Sequence, residues 1–202
     1  GIRLNIKGGT YMINAYIIVA LEITLFLCVS GSIALYLQIR KETKKLHHYW
    51  HLLYINLQAR HTYLLKLIKT SDMFSKNTVT TLKTIIKDCQ KAFGKTGIIQ
   101  KELILNEQLG TLYNDIETHK TGHKKEVLII LDKLESLEFQ IKTCGEYYNN
   151  AVIDFNIKTR QFPASLIAKL LGYSLANFID DILPDKTSKH KKTSKKKHTR
   201  TH

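Results

Sequence analysis

Apolar positions in this chain follow two different patterns. Residues 13–37, "INAYIIVALEITLFLCVSGSIALYL", are apolar almost throughout. As a helix this run would be ~37 Å long, enough to cross a ~30 Å hydrocarbon core with some tilt. Beyond it, apolar residues recur every third or fourth position: Leu46, Trp50, Leu53, Leu57, Leu64, Leu67, then Phe74, Leu82, Ile85 and Cys89. Such a stripe faces a core from one side of a helix. Ser71, Asp72, Ser75 and Asn77 in "KTSDMFSKNT" are cap formers and predict a kink or break there. "FGKTG", 93–97, is read as the turn closing this element. A further stripe, Leu105, Leu109, Leu112 and Ile116, ends near "HKTGH". The longest runs through Val127, Leu131, Leu134, Leu137, Ile141, Cys144, Tyr148, Ala151 and Phe155. No segment alternates like a strand. The predicted fold is all-α: an N-terminal transmembrane helix, then an antiparallel bundle of three to four long helices.

The flanks of the apolar run bear on its role. Arg40, Lys41, Lys44 and Lys45 follow it at once, whereas a cleaved signal carries its positive charge before the apolar core. Leu27 before Cys28 does not fit a lipoprotein signal. An uncleaved anchor fits better, and the positive-inside rule places the basic flank and the bundle in the cytoplasm. Arg3 and Lys7 weaken that bias. However, "KGGTYM" reads back as a purine-rich ribosome-binding site, so residues 1–11 are expected to be a non-native leader before a start at Met12. Glu22 is the one ionisable group inside the run.

Charge and cysteines add a compartment and a tail. The formal net charge is +14, and residues 184–202 hold eight Lys/Arg against one Asp, half of it. This tail, "PDKTSKHKKTSKKKHTRTH", is read as disordered and as a contact for anionic lipid. Lacking aromatic residues, it argues against a specific nucleic-acid module, though salt-dependent RNA or DNA binding is an alternative. Three scattered cysteines give neither a disulfide framework nor a zinc spacing.

Motifs with chemistry are sparse. "GKT", 94–96, lacks the phosphate-loop glycine five residues earlier, where Cys89 stands. Two of His47, His48 and His51 could share a helix face, but no third or fourth ligand is spaced nearby, so a solvated face is the plainer reading. Trp50 could belong to an interfacial aromatic belt, yet its spacing matches the stripe and favours the core. Glu135 and Glu138 recur on one helix without a nucleophile or a paired base. No catalytic residue, metal ligand or cofactor is assigned, and an enzyme is the weaker reading.

The segment 147–174, "YYNNAVIDFNIKTRQFPASLIAKLLGYS", carries a pattern of its own: Tyr148, Asn149, Val152, Phe155, Asn156, Phe162, Pro163, Ala168, Leu171, Gly172 and Tyr173. Together with Glu138 and Ile141 upstream, and Trp50, Leu57, Arg60, His61 and Leu67 near the anchor, it resembles the LemA family. The resemblance spans residues 12 to about 174 and implies a bacterial protein with one transmembrane helix and a bundle of long helices. It implies that Pro163 ends the last long helix and that Phe162 and the following apolar turn fold over the bundle end. There are departures: "TYLLK" (62–66), Phe139, Gly145 and "HKTGH" stand where the family usually has other residues, which argues for a structural or interaction role. The domain reading is 1–11 leader, 12–37 transmembrane helix, 38–160 bundle, 161–183 Phe-Pro turn and amphipathic segment, and 184–202 tail. Within 166–183, Ile167, Leu171, Phe178 and Ile182 fall largely on one helical side. Residues 162–173 are expected to cap the bundle and those beyond Ser174 to lie on lipid. The expected role is a scaffold or interaction module at the cytoplasmic face of a bacterial membrane. Its protein partner is not named by any motif.

Overall fold

A computed structural model describes residues 2–71, 74–118 and 125–179, with backbone alone at 2–13, 115, 117 and 118. Five helices and no strand are found among them: α1 (Ile2–Thr70), α2 (Lys76–Lys91), α3 (Gly94–Thr118), α4 (Lys125–Arg160) and α5 (Ala164–Leu170). The chain is all-helical, and the bundle expected from the stripes is present.

The break after α1 falls where the cap formers stand. Ser75 caps α2, its hydroxyl accepting from the Thr78 amide at 3.1 Å. "FGKTG" differs from expectation. The chain turns through Ala92 and Phe93 into Gly94, the one glycine of the two with a left-handed φ, 72°, which a side chain rarely adopts. Lys95, Thr96 and Gly97 already belong to α3. The bend needs one flexible residue, and the rest is free to take helical geometry.

The residues group into two compact units. One holds the described residues between 47 and 150 together with 178 and 179, the other those between 2 and 46 together with 151–177. In the first, all four long helices contribute to a single core: Leu64, Leu67 and Ile68; Leu82, Ile86 and Cys89; Leu105, Leu109, Leu112 and Ile116; Val127, Ile130 and Leu134. Most of the predicted stripe turns inward as the 3.6-residue period requires, but Ile86 and Ile130 take the core positions expected for Ile85 and Leu131, which are only partly buried. Here α1 and α4 run antiparallel, pairing Asn56 with Cys144, Trp50 with Tyr148 and Tyr49 with Tyr147.

In the second unit, Ile39 and Leu46 of α1, Ala151, Val152 and Phe155 of α4, and Ala164 and Ala168 of α5 are buried. Lys45 binds Glu42 at 2.9 Å and meets Asp154 at 3.9 Å. Residues 14–34 of α1 are exposed all round. Thr24, Ser30 and Ser32 turn their hydroxyls back to the carbonyls of Ala20, Leu27 and Cys28, so these side chains do not need water as an acceptor. Among the described helices, this one alone is long and apolar enough to cross a membrane.

The chain after α4 departs most from expectation. The helix ends at Arg160, three residues before Pro163, and the Phe162–Pro163 peptide bond is cis. Phe162 does not fold over the bundle; it is 80% exposed. The amphipathic helix foreseen for 166–183 stops at Leu170. Gly172 takes φ 71°, the Gly172 amide donates to Lys169 O at 3.1 Å, and the Tyr173 amide to Ala168 O at 2.9 Å. This is the Schellman ending, which glycine accommodates without strain. Residues 173–179 then continue without helix. Ile182 and the basic tail lie outside the described residues.

Candidate functional site

The family-pattern residues form two polar assemblies. One is a buried charged node in the 47–150 unit. Arg60 and His61 are consecutive on α1, and both point inward because they sit between the core leucines at 57 and 64. From α3, Glu102 and Asn106, one helical turn apart, meet them. Arg60 Nη1 donates to Asn106 Oδ1 at 3.0 Å, Arg60 Nη2 pairs with Glu102 Oε2, and His61 Nε2 lies 2.7 Å from Glu102 Oε1. A carboxylate only accepts, so in a neutral imidazole Nε2 must carry the proton. Arg60, His61 and Glu102 are all 0% exposed. Burial alone would raise the Glu102 pKa, but the His61 hydrogen bond and the Arg60 charge outweigh it and hold the carboxyl below its ordinary range. Arg60 Nε, His61 Nδ1 and Asn106 Nδ2 have no hydrogen-bond partner among the described residues, so the node is not saturated.

His61, Glu102 and Cys89 bring three donor atoms within 4.8 Å of one another. The electrostatics do not favour a cation there. Arg60 holds the same carboxylate that would serve as ligand. The Cys89 thiol is pushed up to about 12, chiefly by burial and then by the Glu102 charge, whereas a metal needs the thiolate. The arrangement is an internal ion pair braced by histidine, tying α1 to α3. Beside it, Tyr113 donates to Glu138 of α4, and burial with the Glu138 charge drives the phenol pKa upward. Glu138, singled out from the sequence, is therefore an acceptor for Tyr113. Glu135 is exposed.

The second assembly fastens the chain after α5 onto α4. Asn156 Nδ2 donates to Ala176 O and its Oδ1 accepts from the Ala176 amide, both at 2.9 Å. Asn149 does the same with Ile179, both bonds at 3.0 Å. Each amide side chain thus reads the backbone of one residue as a neighbouring strand would. The spacings match: seven helical residues rise about 10.5 Å and three extended residues span about 10 Å. Two asparagines placed i, i+7 can therefore hold backbone positions j and j+3. This explains the Tyr-Asn and Phe-Asn pairs. Tyr148 is buried and edge-on to half-buried Trp50 at 5.9 Å, and Phe155 is edge-on to Tyr173 at 6.1 Å. Ile141, Val152 and Leu57 are core residues.

Other candidates stay apart. His47, His48 and His51 are each exposed. Arg40, Lys41 and Lys44 are exposed, whereas Lys45 is taken up by its carboxylate partners. His119 and His123 fall outside the described residues. Sequence reasoning passed over Glu102, Asn106 and Tyr113. The signal available was that 99, 102, 106, 109 and 113 continue the buried stripe of α3, so Glu102 and Asn106 occupy core positions with polar side chains.

Neither the comparison with curated proteins nor that with solved structures finds a match. The family model described as "LemA family" matches residues 49–191, a stretch that takes in the Arg60 node, the asparagine clamps and Pro163. The chain belongs to the LemA family.

Proposed function

We propose that this is a single-pass protein of a bacterial cell membrane whose helical bundle stands at the cytoplasmic face as a scaffold for a protein partner. One observation carries the preference for binding over catalysis. The set of ionisable groups that converges around Arg60, the one with possible metal ligands beside it, has no exposure through which a substrate could reach it. Catalytic acids and bases work at an accessible cleft, whereas a sealed ion pair fixes how helices pack. Apolar side chains that do face outward from the bundle, Phe93 and Phe139, are the natural places for a partner to bind. Anchoring through residues 13–37 and the basic Arg40–Lys44 flank support the membrane reading. The tail from 184 onward adds a site for anionic lipid.

The test replaces Arg60, His61 and Glu102 together by apolar residues of similar size. If that variant folds, it should keep the wild-type set of neighbours in proximity labelling from the bundle. Loss of activity-linked neighbours with the fold intact would instead favour chemistry at the node. A cysteine at Lys44 should resist a membrane-impermeant thiol reagent until cells are permeabilised; labelling in intact cells would reverse the orientation.

A further inference from the structure

Helix α5 is amphipathic in the wrong sense for a helix facing water. Its buried face is small, Ala164 and Ala168, one turn apart. Its outward face is large: Leu166 is 60% and Leu170 86% exposed, with Phe162 just before it at 80%. At 100° per residue the two leucines lie roughly opposite the two alanines. A helix docked onto a core for stability would turn its leucines in.

The unit that contains α5 also contains the membrane-crossing part of α1. Within it, the Lys45–Asp154 contact sets α4 against α1, and α4 runs back antiparallel to it. Six residues beyond Asp154, Arg160 lies about 9 Å further toward the apolar run, level with about residue 39. The run ends at 37. Phe162 and α5 therefore follow α4 at the depth where the span leaves the hydrocarbon. Arg160 and Lys169 are exposed around them, as are Arg40, Lys41 and Lys44 on α1. Basic residues rimming an aromatic and leucine face are the composition of an element lying in the headgroup region.

We infer that Phe162, Leu166 and Leu170 form a second membrane contact, an interfacial wedge seated in the lipid headgroup–acyl boundary beside the transmembrane helix. The occupant of this face is lipid. Charge complementarity with anionic headgroups and continuity with the spanning segment both point to it. The wedge is a second attachment for the unit that holds the spanning segment. It rests on the membrane-anchored reading above and adds the place where the chain's end meets the bilayer.

The test uses the full chain in vesicles of phosphatidylcholine with a minor share of phosphatidylglycerol, the acyl chains brominated near the headgroup in one set and near the methyl end in a second, which reaches position 27. Trp50 is changed to phenylalanine, and single tryptophans are placed by Leu170→Trp, Phe162→Trp, Leu27→Trp or Phe139→Trp. Bromolipid should cut the fluorescence at positions 170 and 162 by about twofold or more, with little change at 139. Position 27 reports on the anchor alone: if it is unquenched, the membrane-anchored reading itself fails. Quenching at 27 with none at either 170 or 162 overturns the wedge while the anchor stands, and leaves the face for a protein partner. The wedge positions are exposed, so both variants should fold, and quenching at either one supports the contact.

Discussion

The groups around Arg60 carry full charges and are shut away from water, whereas Asn149 and Asn156 are neutral and only half-buried. Both assemblies use side-chain polarity to decide which segments meet. The node joins two helices, whose backbones are already satisfied, through charge. The clamps join a helix to an extended segment whose backbone N–H and C=O groups lack a ladder partner, and an amide supplies one donor and one acceptor in the right geometry. The difference teaches that the consequence of losing a polar contact depends on what it leaves behind. A broken clamp releases backbone to nearby water; a broken node strands a charge.

The largest effect should therefore follow Arg60→Ala. It leaves Glu102 buried without its counter-charge, and such losses cost roughly 3–5 kcal/mol. Denaturant melts of the detergent-solubilised protein would measure it. Replacing Arg60 and Glu102 together by methionine and leucine should recover most of the loss, because an apolar pair needs no solvation. If Arg60→Ala costs no more than a clamp mutation, the contrast between the two assemblies collapses.

Acid probes the same contrast without mutation. The folded-state pKa of Glu102 lies below its ordinary value, so the folded protein binds fewer protons there than the unfolded chain. The stabilisation is complete above the usual carboxylate range and is lost as pH falls through the depressed folded value. The urea midpoint should decline as pH falls below the usual carboxylate range, and Glu102→Gln should flatten part of that decline. Asn149 and Asn156 do not titrate, so clamp variants should keep the wild-type acid slope.

The clamps come next. Asn156→Ala removes two hydrogen bonds to Ala176, and Asn149→Ala two to Ile179. Each should cost about 1–2 kcal/mol, since the freed backbone groups regain water. Hydrogen exchange is the sharper measurement: the amide of residue 176 or 179 should lose protection in the matching variant. A uniform loss of protection throughout the core would make the clamp as global as the node.

These differences also mark what was legible beforehand. The stripes of Leu105, Leu109 and Leu112, or of Leu134, Leu137 and Ile141, were readable because a helix must repeat every 3.6 residues and a core must be apolar. Arg60 and His61 could be flagged by resemblance, whereas Glu102 showed only as a polar residue on the α3 stripe, and its pairing across 41 or 42 residues leaves no local trace. After α4 the structure departs from the sequence expectation at two points, for physical reasons. Residues 162–173 are expected to cap the bundle, whereas Phe162, Leu166 and Leu170 are exposed and α5 buries Ala164 and Ala168 instead. Residues 173–179 were read as helix from their apolar spacing, whereas Gly172 ends the helix and two distant asparagines hold the following backbone extended. A spacing of seven between Asn149 and Asn156 was visible, but its meaning required the extended partner.

The smallest effect tests whether any charge in the bundle behaves like Arg60. Lys95 lies 5.4 Å from the Trp50 ring centroid and 5.1 Å from that of Tyr148, and its Nζ is 3.4 Å from the Tyr148 hydroxyl. Burial lowers its pKa, so at neutral pH the charged form bears a desolvation penalty that the ring faces offset. The sign follows: a base whose folded value is depressed makes the protein more stable as pH rises toward the ordinary lysine range. Lys95→Met removes attraction and penalty together and should cost about 0.5–1 kcal/mol or less, and it should weaken that alkaline rise. The reason for so small an effect is access. Lys95 sits at the rim of its aromatic pair and can turn its ammonium to water, an option closed to Arg60. A loss of roughly 3 kcal/mol or more at Lys95 would place it with Arg60 as a second charged node, and the distinction would then be one of helix pairs rather than of burial.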